Sequence, residues 1–177
     1  MKIKTDFVTN SSSTSFIVGD KSLTIKEVAL KMINLIVNEY KSSFPGSGTL
    51  TWAASAKKKL KKLDDNTNLI IPWSCNYPSY LYRDQNGHVR VDTSHNHHWE
   101  DLDDSVRYVE DYDREYKRSQ KSNFFNLQTG KLKTRLDFRI DEWLGYQKKY
   151  GKEDSEYINK LITEMREEAE KEYEEET

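Results

Sequence analysis

Apolar residues recur at helical spacing between Ile25 and Tyr40. Ile25, Val28, Ala29, Met32, Ile33, Ile36 and Tyr40 share one face, with Glu27, Lys31, Asn34 and Asn38 opposite. This stripe predicts an amphipathic helix over about 25–41, opened by Thr24 and Glu27 at capping-box spacing. Pro45, Gly46 and Gly48 mark a loop. A second helix is predicted over about 51–63: Trp52, Ala56, Leu60 and Leu63 share a face, and Lys57, Lys58, Lys61 and Lys62 lie away from it. In the C-terminal third, Thr134 and Asp137 can cap a helix that carries Leu136, Ile140, Trp143 and Leu144, with Lys148, Lys149 and Gly151 suited to its end. A last helix is expected from Asp154 or Ser155, with Ile158, Leu161, Ile162 and Met165 as its stripe. Beyond Met165 only Ala169 and Tyr173 continue that stripe, and the acids around Glu167 predict a solvated helix end over about 166–177.

Period-two and turn signals fill the rest. Ile3, Phe7 and Val8, then a Ser/Thr/Asn tract, then Phe16, Ile17 and Val18 read as strand, polar turn, strand. Leu69 to Trp73 reads as a buried strand that Pro72 ends or places at an edge. Tyr80 to Asp92 predicts a hairpin around Asp84-Gln85-Asn86-Gly87. A two- or four-residue loop would put Tyr80, Tyr82, Val89 and Val91 on one face, with His88 and Arg90 on the other, away from the core. Over 93–122, Trp99, Leu102, Val106, Val109 and Tyr116 can line a helix, but the density of acids also suits an ordered loop. Phe124 to Lys133 predicts another hairpin, turning at Gln128-Thr129-Gly130. The pattern gives an α+β fold: a small, mainly antiparallel sheet built from hairpins and packed against about four helices. Neither repeats nor a linker divide residues 1–177, which reads as a single domain.

Composition narrows the class. At 177 residues the chain can bury a core without disulfides or a structural metal. Apolar residues make up 35% and aromatics 12%, so the expected core is small and aromatic-rich. The lone cysteine, Cys75, excludes an internal disulfide framework and suits a reducing compartment. The N-terminus lacks the apolar stretch of a signal peptide, and no window is apolar enough to span a membrane. These features point to a cytoplasmic protein without membrane contact. The net charge of −2 gives no bulk attraction for nucleic acid.

The densest chemical signal is the grouping of Cys75, His88, His95, His97 and His98. Zinc takes four N, S or O donors in a tetrahedron. Cys75 before the hairpin, with His95 and His97 or His98 after it, can meet at the hairpin's open end, and Glu100 or Asp101 can add oxygen. No zinc-finger spacing supports this set, and a polar, hydrogen-bonded loop is the competing reading. His95-Asn96-His97 spells HNH, but contiguous residues of an extended chain point to opposite faces and do not form that nuclease site. The Lys57–Lys62 run can meet phosphates, though it also suits a solvated helix face whose stems cover apolar surface. The acids Asp101, Asp103 and Asp104, and Glu167 and Glu168 in the tail, give the surface a negative sign. They suit a basic partner or imitation of a phosphate backbone. No GxSxG, Walker A, HExxH or GxGxxG motif is present.

One segment carries a resemblance. Asp6-Phe7-Val8-Thr9-Asn10-Ser11-Ser12-Ser13-Thr14-Ser15-Phe16-Ile17 is similar to the N-terminal "FVTNSSSSSF" signature of uncharacterised proteins from low-GC Gram-positive bacteria and their phages, with Thr14 in place of one serine. The resemblance covers about the first eighteen residues and implies a source, not an activity. Asn10, Ser11, Ser12 and Ser13 offer hydroxyls and backbone N–H groups that can form an anion-binding nest, or can satisfy one another in a turn. Two function classes follow. The first is a non-catalytic protein that binds a macromolecule, such as a phage or mobile-element factor engaging a host protein with a basic surface. The second is a metal-dependent enzyme centred on Cys75 and His95 to Glu100. An acidic nucleic-acid mimic is a further alternative.

Overall fold

The computed structural model describes residues 14–43, 49–71, 78–93, 102, 106–109, 112–151 and 155–174. The elements in chain order are β1 (Thr14–Val18), α1 (Ile25–Ser43), α2 (Thr49–Leu60), β2 (Leu69–Ile71), β3 (Ser79–Arg83), β4 (Val89–Thr93), β5 (Arg107–Tyr108), α3 (Tyr112–Ser119), β6 (Asn123–Asn126), β7 (Leu132–Thr134), α4 (Arg135–Tyr150) and α5 (Ser155–Glu174). The strands run in the order β5-β1-β4-β3-β2-β6-β7. The fold is α+β, and the sheet is mixed: β2 and β6 pair in parallel, while β1–β4, β1–β5, β2–β3 and β3–β4 are antiparallel.

Two compact units divide the chain. The sheet unit runs to Tyr112 and takes in Phe125–Lys131; the C-terminal unit holds Asp113–Phe124 and the chain from Leu132 onward. In the sheet unit, α1 forms where the stripe predicted it. Glu27 accepts the Thr24 N–H at 2.7 Å, and Thr24 Oγ1 accepts the Glu27 N–H at 3.1 Å. Ile25, Val28, Ala29, Met32, Ile33 and Ile36 are buried, joined by Ala53, Ala56 and Leu60 of α2. Both helices serve one sheet face, made of Phe16, Val18, Leu69, Ile71, Leu81, Val89 and Val91. Gly19 makes the β1–α1 turn possible: its φ is 67°, and a Cβ there would lie 2.1 Å from Leu23 Cδ1.

The β3–β4 hairpin corrects the expected facing. The Asp84 N–H donates to His88 O at 3.0 Å, so the loop proper is Gln85-Asn86-Gly87, with Gly87 at φ 85°. An odd loop of this kind shifts the register by one residue relative to an even loop. Tyr82 therefore pairs with Arg90 and Tyr80 with Asp92, while Leu81 pairs with Val91. Val89 and Val91 face the helices; Tyr80 and Tyr82 share the opposite face with Arg90 and Asp92.

Over 93–122 the described residues form no single long helix. Leu102 is buried in the core, Val106 packs against it, β5 pairs with β1, and Tyr116 belongs to α3. The strand at Leu69 ends at Ile71 and lies inside the sheet rather than at its edge. In the C-terminal unit, α4 is capped as expected, with the Asp137 N–H donating to Thr134 Oγ1 at 3.1 Å. Helix α5 half-buries Ile158, Leu161, Ile162 and Met165, buries Ala169, and continues to Glu174.

Candidate functional site

The sheet face away from the helices carries a buried polar cluster. Pairing of Ser15 with Asp92, and of Tyr82 with Arg90, sets four polar side chains on three neighbouring strands. Ser15 Oγ donates to Asp92 Oδ1 at 2.6 Å and accepts from Arg90 Nε at 2.6 Å. Tyr82 Oη donates to Asp92 Oδ2 at 3.0 Å, and Arg90 Nε lies 3.8 Å from Asp92 Oδ1. Ser15, Tyr82, Arg90 and Asp92 are each no more than 3% exposed.

A serine beside an aspartate and an arginine resembles the start of a nucleophilic site, but the hydrogen bonds here serve another end. Both Asp92 oxygens already accept protein donors, and Arg90 occupies the Ser15 oxygen that a nucleophile would need free. The cluster neutralises one buried charge with another and fixes the β1–β4–β3 register. The sequence did not reveal it. Val89-Arg90-Val91-Asp92 shows the alternation of a strand with one solvated face, and nothing local shows that the polar face is buried too.

The same cluster stands at a notable sheet end. Thr14 pairs with Thr93, and Ile71 pairs with Ser79, so β1, β2, β3 and β4 all begin or finish there. The chain immediately beyond these residues carries Asn10–Ser13, Cys75 and His95–His98. Those candidates, with Asp101, Asp103 and Asp104, lie outside the described residues. His88 stands at the other end of β4, about 16 Å from Thr93 at ~3.3 Å per strand residue. Its Nδ1 lies 3.8 Å from Asp84 Oδ1, and the Arg107 guanidinium approaches its Nε2 at 3.4 Å. Among the described residues, no three His, Cys, Asp or Glu side chains are grouped to hold a metal ion, and no helix is long and apolar enough to cross a membrane.

Glu167 and Glu168, the remaining sequence candidates, are exposed on α5. Glu156, Glu164 and Glu170 are exposed on the same helix, and Tyr157 is 48% exposed. Tyr157, Glu164 and Glu168 follow one flank at i, i+7 and i+11, beside the half-buried stripe. Lys160 lies 3.8 Å from Glu164, and Lys121 lies 3.2 Å from Glu170. Glu156, Glu167 and Glu168 make no ion pair among the described residues. Compared with protein-family models, with curated proteins and with solved structures, the chain finds no match.

Proposed function

We propose that this protein acts by binding another protein, one with a basic surface, and performs no turnover of its own. The acidic flank of α5 carries the reading. A 20-residue helix gives one stripe to its own unit and leaves outward a row of glutamates beside a half-exposed tyrosine. Tyrosine is a frequent interface anchor, and exposed rim charges steer a partner of opposite sign. The buried polar cluster supports the same side, since its groups are engaged with one another. With the resemblance of its N-terminal segment to Gram-positive and phage proteins, the partner is a bacterial host protein met in the cytoplasm.

The test is capture from lysate of the native host at low and moderate salt, with Tyr157→Ala and Glu164→Gln/Glu167→Gln/Glu168→Gln run in parallel. A stoichiometric basic partner is expected, lost at moderate salt and lost with either variant. If DNA displaces that partner, α5 imitates a phosphate backbone. Capture indifferent to both variants would reject α5 as the surface.

The shared sheet end favours one second reading, a metal centre formed by Cys75 with two of His95, His97 and His98. Support for this reading is that Ile71, Ser79 and Thr93, from which these segments lead, lie at one end of the sheet; zinc takes four donors in a tetrahedron. Elemental analysis of protein purified without a His-tag decides it. Stoichiometric zinc, with hydrolase or nuclease activity abolished by His97→Ala, would replace the binding reading with an enzyme.

A further inference from the structure

Lysines surround the C-terminal end of α2: Lys57, Lys58 and Lys59 in its last turn, then Lys61 and Lys62 beyond it. Lys59 has a distinct task. Its Nζ donates to Leu127 O at 2.9 Å and to Gln128 O at 2.7 Å, tying the turn after β6 to the helix end. Lys131 closes that turn; its backbone N–H donates to Thr129 Oγ1 at 3.3 Å, and its side chain is exposed. Two lysine-bearing elements far apart in sequence thus meet in the sheet unit.

These charges are uncompensated. Lys57, Lys58, Lys61, Lys62 and Lys131 make no ion pair among the described residues, whereas Lys26, Lys121, Lys133 and Lys160 each meet a carboxylate. Of the acids that follow, Asp65 is held by Lys26 at 2.9 Å, and only exposed Asp64 adjoins the group. Lys61, whose N–H donates to Lys57 O at 3.1 Å, stands at i,i+4 spacing from Lys57, where like charges repel. The helix dipole favours cations in the last turn, but that effect does not extend to Lys131 on another element.

The occupant follows from what the surface lacks. Protein interfaces are anchored by apolar and aromatic side chains. The exposed large apolar residues among those described are Leu30, Tyr108, Leu132, Leu144 and Tyr157; none is on α2, and Leu132 alone of the five adjoins the 127–131 turn, just after Lys131. A phosphate backbone needs only positive charge and polar donors, and exposed Gln128 and Thr129 supply the latter. The chain's net charge of −2 does not oppose this locally, because screening limits exposed charges to about 8–10 Å. We infer that the α2 end and the 127–131 turn together bind the phosphodiester backbone of a nucleic acid, without reading its sequence.

Fluorescence anisotropy of a short labelled DNA duplex, titrated with the full chain, tests this. Binding is expected at low ionic strength, with the logarithm of the binding constant falling linearly against the logarithm of salt. Lys58→Gln/Lys61→Gln/Lys62→Gln, checked for folding by circular dichroism, should weaken binding about tenfold or more and flatten the slope by about 3. Lys131→Gln, on an exposed turn, should flatten it by about 1. Glu142→Gln, at an exposed acid of α4, controls for bulk charge and should not weaken binding. No anisotropy change at low salt, or binding that the lysine variants leave intact, would overturn the inference. So would tighter capture of a polyglutamate peptide than of DNA, which would assign the surface to an acidic protein.

Discussion

The two units are held by different chemistry. Between α1, α2 and the sheet, the sheet unit buries a continuous set of Ile, Leu, Val, Met and Phe side chains. The C-terminal unit buries Phe124, Ile140 and Ala169, but also Glu115, Ser119, Gln120 and Arg135. There Arg135 sits over the Tyr116 ring at 4.6 Å and donates to Ser119 Oγ at 2.6 Å. Arg139 lies 5.2 Å from the same ring and donates to Gln120 Oε1 at 3.0 Å. Apolar burial is non-directional and tolerates volume-conserving exchange, whereas a buried guanidinium is held by specific partners and has no isostere. The sheet unit should therefore resist most single polar changes, except at buried Asp84 and above all in the Arg90–Asp92 cluster, while the C-terminal unit should depend on individual polar residues throughout.

The largest effect is expected in that cluster. Asp92→Ala removes the carboxylate beside the buried Arg90 guanidinium and the acceptor of Ser15 and Tyr82; breaking such a buried pair typically costs about 3–5 kcal/mol. Joint replacement by apolar residues, Arg90→Met/Asp92→Leu, should recover most of the loss, because neither charge is then left alone. Urea denaturation of the three proteins checks both statements. A double variant no more stable than Asp92→Ala would mean that the cluster does more than neutralise itself, and would reopen it as a functional site.

Next comes the corresponding change in the C-terminal unit. Arg135→Met removes a charged hydrogen bond and a cation–π contact, together worth about 2–3 kcal/mol. If the units open separately, amide exchange should quicken in α3 and α4 and stay unchanged in α1. Equal acceleration in α1 would show that the units unfold as one, and the contrast between them would then be one of composition only.

The legible parts of the fold are those with local causes. The α1 stripe, both N-caps, the Gly87 turn and the start of α5 are each fixed by residues within a turn or two of one another. What escaped depends on partners far away in the chain. Parallel pairing of β2 with β6 joins Leu69 to Phe125, and no local pattern announces it. The facing of Tyr80 and Tyr82 turned on whether the hairpin loop held an odd or even number of residues, and Asp84-Gln85-Asn86-Gly87 permits both. The Ser15–Arg90–Asp92–Tyr82 cluster escaped for the same reason: its members are ordinary strand polar positions until β1 is placed beside β4. Lys59 was read with a solvated lysine run, and only the distant 127–131 turn reveals its role. Of the site candidates, Glu167 and Glu168 were legible as exposed acids because a weakening apolar stripe is itself a local signal.

The smallest expected effect compares the two caps, and it is set by pH. Thr24→Ala and Thr134→Ala should each cost about 1 kcal/mol, since each threonine accepts a first-turn N–H. The acids three residues on differ. Asp137 meets the Thr134 hydroxyl at 2.8 Å and Arg166 at 3.0 Å. Glu27 instead accepts the Thr24 backbone N–H at 2.7 Å and the Thr24 hydroxyl at 3.0 Å. Those bonds, the backbone one first, hold the Glu27 carboxyl below its ordinary pKa. A carboxyl whose pKa is lower folded than unfolded adds stability that is complete above its unfolded pKa, and loses it as pH falls through the folded value. Below that value a protonated Glu27 resembles a glutamine. The stability difference between wild type and Glu27→Gln should therefore be present at neutral pH and shrink on acidification, as followed by urea midpoints across the carboxylate range. A difference that persists undiminished in acid would mean that Glu27 supports α1 through contacts other than its ionised capping bond.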